Sequence, residues 1–386
     1  MGWFALFKAW ANDNQSLLGC TLVTSLFVSF GASGWSAFAA LIAASLFVMD
    51  MVNLSGAAGE RYGSAYPVFA RASMGTAGAK LPAVLRAVVA VFWQGAQVYF
   101  ASAALAILSK SLTGAEAGDV LFLGLSGIDW VAFLVVWVLH ILIFWRGMNW
   151  VGGSLNLAGP FVYAVMIALV IVLWSKSDGP LLSAAQNIFA NPEGAWRTEM
   201  SGFVAIFDTM VAYFSAVMIN FSDFSRFAKD KQAMVKGNLM GLPLNGVANL
   251  PPDTTGFRKA SLITSGFALV IGCLWTAVIR QIGIGGFVNT LGATLAPLFG
   301  MLMVDYFVVR KQVLSQKDLY NMDGGKYHYK NGWHDNAVIA CAIGAVFSVA
   351  TVWLPMLSDL SGCAWIIGAA LGAAIYYART KHMKLA

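Results

Sequence analysis

Ten apolar stretches of about membrane-spanning length make up most of this sequence. They run approximately Trp3–Phe30, Trp35–Leu54, Leu81–Leu108, Trp130–Trp145, Val151–Trp174, Gly202–Phe221, Ala260–Ile279, Gly283–Val309, Asn336–Leu357 and Gly362–Ala378. A bilayer core is crossed by roughly 17–25 such residues in helical form, because lipid offers no partner to a free backbone amide. Length alone would allow two or three soluble domains in 386 residues. Composition excludes that: 59% of residues are hydrophobic and 11% charged, where soluble chains carry about 25% charged. The same apolar excess excludes a disordered chain. No run alternates with period two, so a transmembrane barrel is not indicated. The first run is too long for a signal peptide and has neither a basic head nor a cleavage-like site, so it reads as a span. The expected class is an all-α polytopic membrane protein, one transmembrane domain over residues 1–386.

The net charge of +6 would fit a nucleic-acid binder if it lay on one face; its distribution points elsewhere. With a cytoplasmic N-terminus, eighteen of the 24 Lys and Arg residues fall in inner segments. The outer segments hold four, Lys110, Lys176, Arg197 and Arg280, while Lys8 and Arg86 lie within spans. This bias places both termini inside. No nucleic-acid partner is expected; lipid is.

Several spans carry polar interruptions. Asn12, Asp13, Asn14, Gln15 and Ser16 break the first run at mid-depth. Five consecutive polar residues go round a whole helical turn, so the break lines a cavity or is packed in protein, and unwound carbonyls there can bind a cation. The alternative is a helix starting near Leu17 with these residues as its cap. In the third run, Trp93 and Gln97 are four apart and share a helical face. An indole plane beside an amide suits a flat heterocycle; the same pair also serves ordinary helix packing. Asp208 lies within its span and is either a proton carrier or a hydrogen-bonded structural group, while Asp50 and Asp305 lie close enough to an inner end to be interfacial. Pro160 and Pro297 are candidate kinks. The four cysteines lie in apolar runs, which indicates no disulfide framework. The four histidines lack ligand spacing, and no nucleophile motif, phosphate loop or dinucleotide fingerprint occurs, so neither an enzyme nor a cofactor is expected. The stretch from Asn238 to Phe257, with three prolines and no spanning run, reads as a long inner loop.

Four segments resemble the nucleobase–cation symporter family of hydantoin, allantoin, uracil and cytosine permeases. They are Gly56–Leu105, with YGSAYPVFARASMGTAGAKLPAVLRA and FWQGAQ; Ile219–Asp230, INFSDFSRFAKD; Asn245–Pro252, NGVANLPP; and Leu295–Trp333, with DYFVVRK and DLYNMDGGKYHYKNGW. The resemblance implies a leucine-transporter-like fold of two inverted five-helix repeats plus two C-terminal helices. It assigns residues 1–174 to the first repeat, 201–309 to a shortened second repeat and 336–378 to the extra pair. Family members have twelve helices, and this chain has ten runs. The text passes from the approach to the seventh family helix directly to the end of the eighth, so about two core helices are missing.

The resemblance also implies a site. Trp93 matches the tryptophan that stacks on substrate, and Gln97 the glutamine that hydrogen-bonds it. Phe214 stands where the family's second stacking aromatic, usually tryptophan, lies. Ser16 matches a polar contact on the first helix, and Asn249 the asparagine of the eighth. The carbonyls of Asn12 and Gln15 match a sodium site, whose hydroxyl ligands would fall on Leu242, Pro243 and Leu244 or are absent. Sodium coupling through that site is therefore not expected, and the coupling ion, sodium or proton, stays open. The implied function is a secondary-active permease for a small heterocycle in a bacterial inner membrane. The competing expectation is a non-transporting remnant of one. Substrate identity and oligomeric state are not set by the sequence.

Overall fold

The computed structural model describes residues 1–14, 17–30, 33–114, 118–147, 196–242, 280–322 and 324–381, with shorter stretches within 150–175 and 266–275. The first run is two helices, α1 (Trp3–Asn14) and α2 (Leu17–Phe30), separated where the polar residues interrupt it. Helix therefore begins at Trp3, not at a cap near Leu17. Leu6 and Trp10 of α1 and Leu18 and Leu22 of α2 are all buried, so both halves belong to the core.

Next come α3 (Gly34–Tyr62), the short α4 (Tyr66–Met74) and α5 (Lys80–Thr113). Ser33 caps α3 by accepting from the Ser36 amide, and Gly63 ends it at φ 64°, a left-handed conformation that costs glycine least. Pro67 sits in the first turn of α4, where its missing N–H costs nothing. A small hairpin, β1 (Val120–Phe122) and β2 (Leu125–Ser126), leads into α6 (Gly127–Arg146), which starts with a Ser126/Asp129 capping box. The expected fifth run falls largely outside the described residues. Then follow α7 (Trp196–Asn220), α8 (Ser222–Ser225), α9 (Lys231–Gly241), α10 (Arg280–Val304), a π-helical turn (Asp305–Val309) and α11 (Gln316–Tyr320). α12 (Asp335–Trp353), a 3₁₀ segment (Pro355–Cys363) and α13 (Ala364–Thr380) complete the order. Among the described residues, seven helical segments are long and apolar enough to span a bilayer.

One expectation is corrected. The stretch from Asn238 is not loop at its start: α9 runs to Gly241. It can lie against α1 because a Cβ at Gly241 would meet the Trp10 ring at 2.7 Å, and one at Gly237 would meet Leu6 at 2.6 Å. The non-helical residue inside α10 is Gly283 (φ 74°), near its outer end, while Pro297 stays within the helical run. Pro297 instead supplies a packing surface: a Cβ at Gly372 of α13 would stand 2.3 Å from its carbonyl, and one at Gly344 of α12 2.8 Å from its ring. Small residues thus bring α10, α12 and α13 together within the chain, as in membrane helix packing generally.

Candidate functional site

The long helix α5 carries Trp93 and Gln97 one turn apart. Trp93 is half-buried and points into the bundle. Its indole meets Tyr213 of α7 edge-on at a centroid distance of 4.9 Å and Phe287 of α10 at 6.0 Å. Phe287 also packs on Trp275 at 5.2 Å, and Trp275 stacks on Tyr99 of α5 at 5.5 Å. On the other side of α7, Phe214 is 9% exposed and lies between Tyr213 (5.0 Å) and Trp10 of α1 (6.4 Å). An aromatic wall thus runs from α1 through α7 to α5. Gln97 is half-buried, and among the described residues its amide has no hydrogen-bond partner. This arrangement offers a ring face and a free donor–acceptor pair one helical turn apart.

Of the residues singled out from the sequence, Trp93, Gln97 and Phe214 fall in this region. The α7 ring nearest Trp93 is Tyr213, one position before Phe214; the sequence holds both aromatics side by side and gives no means of choosing which turns toward α5. Asn12 lies in α1 with only its backbone described. Gln15, Ser16 and Asn249 lie outside the described residues.

Buried polar groups hold the frame around the wall. At the outer end, both Glu199 carboxylate oxygens accept from the Ser33 amide (3.0 and 3.1 Å), tying α7 to the start of α3. Asp208, fully buried, accepts from the backbone amides of Trp365 (3.0 Å) and Ile366 (3.2 Å). Its carboxylate therefore satisfies the free amides and positive dipole end of α13, which favours the structural reading over the proton carrier. Trp10 donates to Asn238 (2.8 Å), which donates to Asn53 (2.7 Å), joining α1, α9 and α3.

The inner end is closed by a charged cluster. Asp305, near the inner end as expected, is 1% exposed. It accepts from Ser73 (2.6 Å), Arg310 Nε (2.7 Å) and Tyr376 (2.7 Å). Arg310 Nη2 also donates to the Ala72 carbonyl (2.6 Å) and to Tyr329 (2.5 Å). His334 contributes Nδ1 to the Ser73 carbonyl (2.7 Å) and stacks on Tyr329 at 4.3 Å. These contacts bind α4, the π-helical turn, the 324–334 loop and α13 together, and they account for the DYFVVRK and KYHYKNGW strings. Burial opposes the guanidinium charge of Arg310, but Asp305 outweighs it and holds the group above its ordinary value. Burial pushes the Tyr329 hydroxyl up and His334 down; since the Ser73 carbonyl can only accept, Nδ1 is the donating nitrogen of His334. Nearby, Asp223 accepts from the Tyr66 amide at 2.7 Å, and burial raises it above the usual carboxylate range.

Residues 1–247 and 238–377 match the model of a family described as permeases for cytosine/purines, uracil, thiamine and allantoin. The two matched pieces meet at 238–247, where the sequence passes over two expected helices. An allantoin permease of Bacillus subtilis (strain 168) is 27% identical over 423 aligned residues, 90% of this chain and 84% of its own. A putative allantoin permease of Escherichia coli (strain K12) is 24% identical over 446 aligned residues, 97% and 90% respectively. Both alignments are longer than the 386-residue chain and so open gaps in it. Among solved structures, Mhp1, a nucleobase-cation-symport-1 family transporter, in a closed conformation with bromovinylhydantoin bound, superposes with a TM-score of 0.67 at 17% identity. That superposition covers 100% of this chain and 94% of the other. An inward-facing conformation of Mhp1 gives 0.69 at 17% identity, covering 100% and 92%. The likeness carries the fold, and it is the leucine-transporter-like architecture that the motifs implied.

Proposed function

Because this chain belongs to the family of permeases for cytosine/purines, uracil, thiamine and allantoin, an integral multi-pass membrane family rather than an enzyme family, we propose that it carries a flat nitrogen heterocycle across the bacterial inner membrane. The substrate is of the uracil, allantoin, hydantoin or purine type, and its movement is coupled to a sodium or proton gradient. The observation that carries this reading is Trp93 turned inward against Tyr213, with the Gln97 amide, which has no hydrogen-bond partner among the described residues, one turn away. The indole supplies a stacking face, and the amide supplies one donor and one acceptor to an imide or ureido edge. Phe214, Ser16 and Asn249 complete the proposed substrate contacts, and the carbonyls of Asn12 and Gln15 the cation contact. The division into a first repeat (1–174), a shortened second repeat (201–309) and an extra pair (336–378) belongs to the same proposal.

A second reading, a remnant that no longer transports, is favoured by the skipped stretch at 238–247. It is also favoured by Phe287, which packs on Trp93 and is itself backed by Trp275, so that aromatic side chains occupy space beside the indole. Uptake of labelled uracil, allantoin and hydantoin by permease-null cells decides between them. Saturable uptake lost in Trp93→Ala supports the permease; vector-level uptake by chain present in the membrane supports the remnant.

A further inference from the structure

A groove of about 450 Å³ runs down the lipid side of the bundle between α3, α10 with its π-helical turn, and α13. Phe47, Met51 and Phe307 line it together with the small Ala370 and Ala373. Its floor is tight, since a Cβ at Gly300 would stand 1.9 Å from the Ala369 carbonyl. Every lining side chain is apolar; the polar atom of Trp365, its indole N–H, is buried away from the groove surface. A heterocycle or a peptide backbone would find no hydrogen bond here, whereas a hydrocarbon chain needs none.

The groove has a polarity along the membrane normal. Its inner end is marked by Leu54, Val308 and Ala373. On α13, the stripe from Ala370 and Ala373 continues to Tyr377, which is 44% exposed, and then to the exposed Lys381. Lys311 follows Val308 by three residues, and Arg61 lies two turns beyond Leu54 on the same face of α3; both are exposed. At 1.5 Å per residue, Arg61 and Lys381 sit about 10–12 Å past the last apolar contact on their helices, at the depth of a phosphate, and Lys311 lies in the turn that follows the π-helical segment. The α3 acids nearest this rim are Glu60, beside Arg61, and Asp50, one turn above Leu54, so the three cations leave the mouth net positive. Tyr62 fixes the rim by donating to the Gln312 carbonyl at 2.8 Å.

We propose that this groove binds one inner-leaflet phospholipid with an anionic headgroup, an acyl chain along the α3–α10–α13 seam and its phosphate among Arg61, Lys311 and Lys381. Native mass spectrometry of the full chain in detergent, with phosphatidylglycerol or phosphatidylcholine added, tests this. One phosphatidylglycerol is expected to survive activation that strips phosphatidylcholine. Ala370→Trp, which fills the groove from an exposed position, should abolish that retention; Ala373→Leu is the milder second variant. Lys311→Gln and Lys381→Gln should each lower the preference for phosphatidylglycerol by about fivefold. Equal retention of the two lipids by the parent chain overturns the proposal. So does undiminished retention in both groove variants whose melting temperatures match the parent. A dimer that forms through this face and is lost in Ala370→Trp would assign the groove to a second copy instead.

Discussion

At the scale of single residues, the molecule separates groups that hold it together from groups left free to bind. Asp305 and Arg310 are an ion pair with side-chain exposures of 1% and 4%. Removing one partner strands a buried charge at a cost of about 3–5 kcal/mol. Asp305→Asn should therefore lower the melting temperature of the detergent-solubilised chain steeply, whereas Asp50→Asn, at an exposed position, should leave it nearly unchanged. His334 adds a pH dependence. Its folded-state pKa lies below the ordinary 6.5 because of burial. Between those two values the unfolded chain binds a proton that the folded chain refuses. Its contribution is therefore complete above about pH 6.5 and is lost as pH falls through that window. Because Asp223, raised by burial, contributes with the opposite sign, the slope is read as the difference between melting scans of the parent and His334→Gln over about pH 5–8, the parent losing more stability than the variant as pH falls. By contrast, Gln97→Ala breaks no hydrogen bond among the described residues, so the melting temperature should hold while substrate affinity falls.

At the scale of elements, close approach of small residues sets the packing. The Cβ position of Gly372 lies 2.3 Å from the Pro297 carbonyl. Gly372→Leu should therefore cost about 1–3 kcal/mol or more by overpacking, read as a lower melting temperature. Element positions were largely legible in the sequence, because hydropathy is a direct property of each segment. The partners of polar residues were not legible. That Glu199 would cap α3 and Asp208 would cap α13 depends on helices more than 150 residues apart in the chain meeting at their ends. The burial of Asp305 was not legible either, because Ser73 and Tyr376, which bond it, come from distant elements. Which of Tyr213 and Phe214 faces Trp93 is a matter of helix rotation: Tyr213 turns to Trp93 of α5 and Phe214 to Trp10 of α1.

At the scale of the whole molecule, the chain keeps the fold of its family in a sequence shorter than its relatives. Residues 1–247 and 238–377 match the family in two pieces, and the superposition still takes in all of the chain. Buried polar contacts cross-tie its described helices at both ends of the membrane. The central claim is that a flat ring stacks on Trp93 beside Gln97. The most direct measurement is equilibrium binding of radiolabelled allantoin, uracil and a hydantoin to the purified chain, parent and Trp93→Ala side by side. Stacking of a base on an aromatic ring is worth about 1–3 kcal/mol. The account therefore expects saturable binding of at least one of the three, weakened about tenfold or more in the variant. Saturable binding that Trp93→Ala leaves unchanged would contradict it, as would none of the three binding to a chain that melts cooperatively.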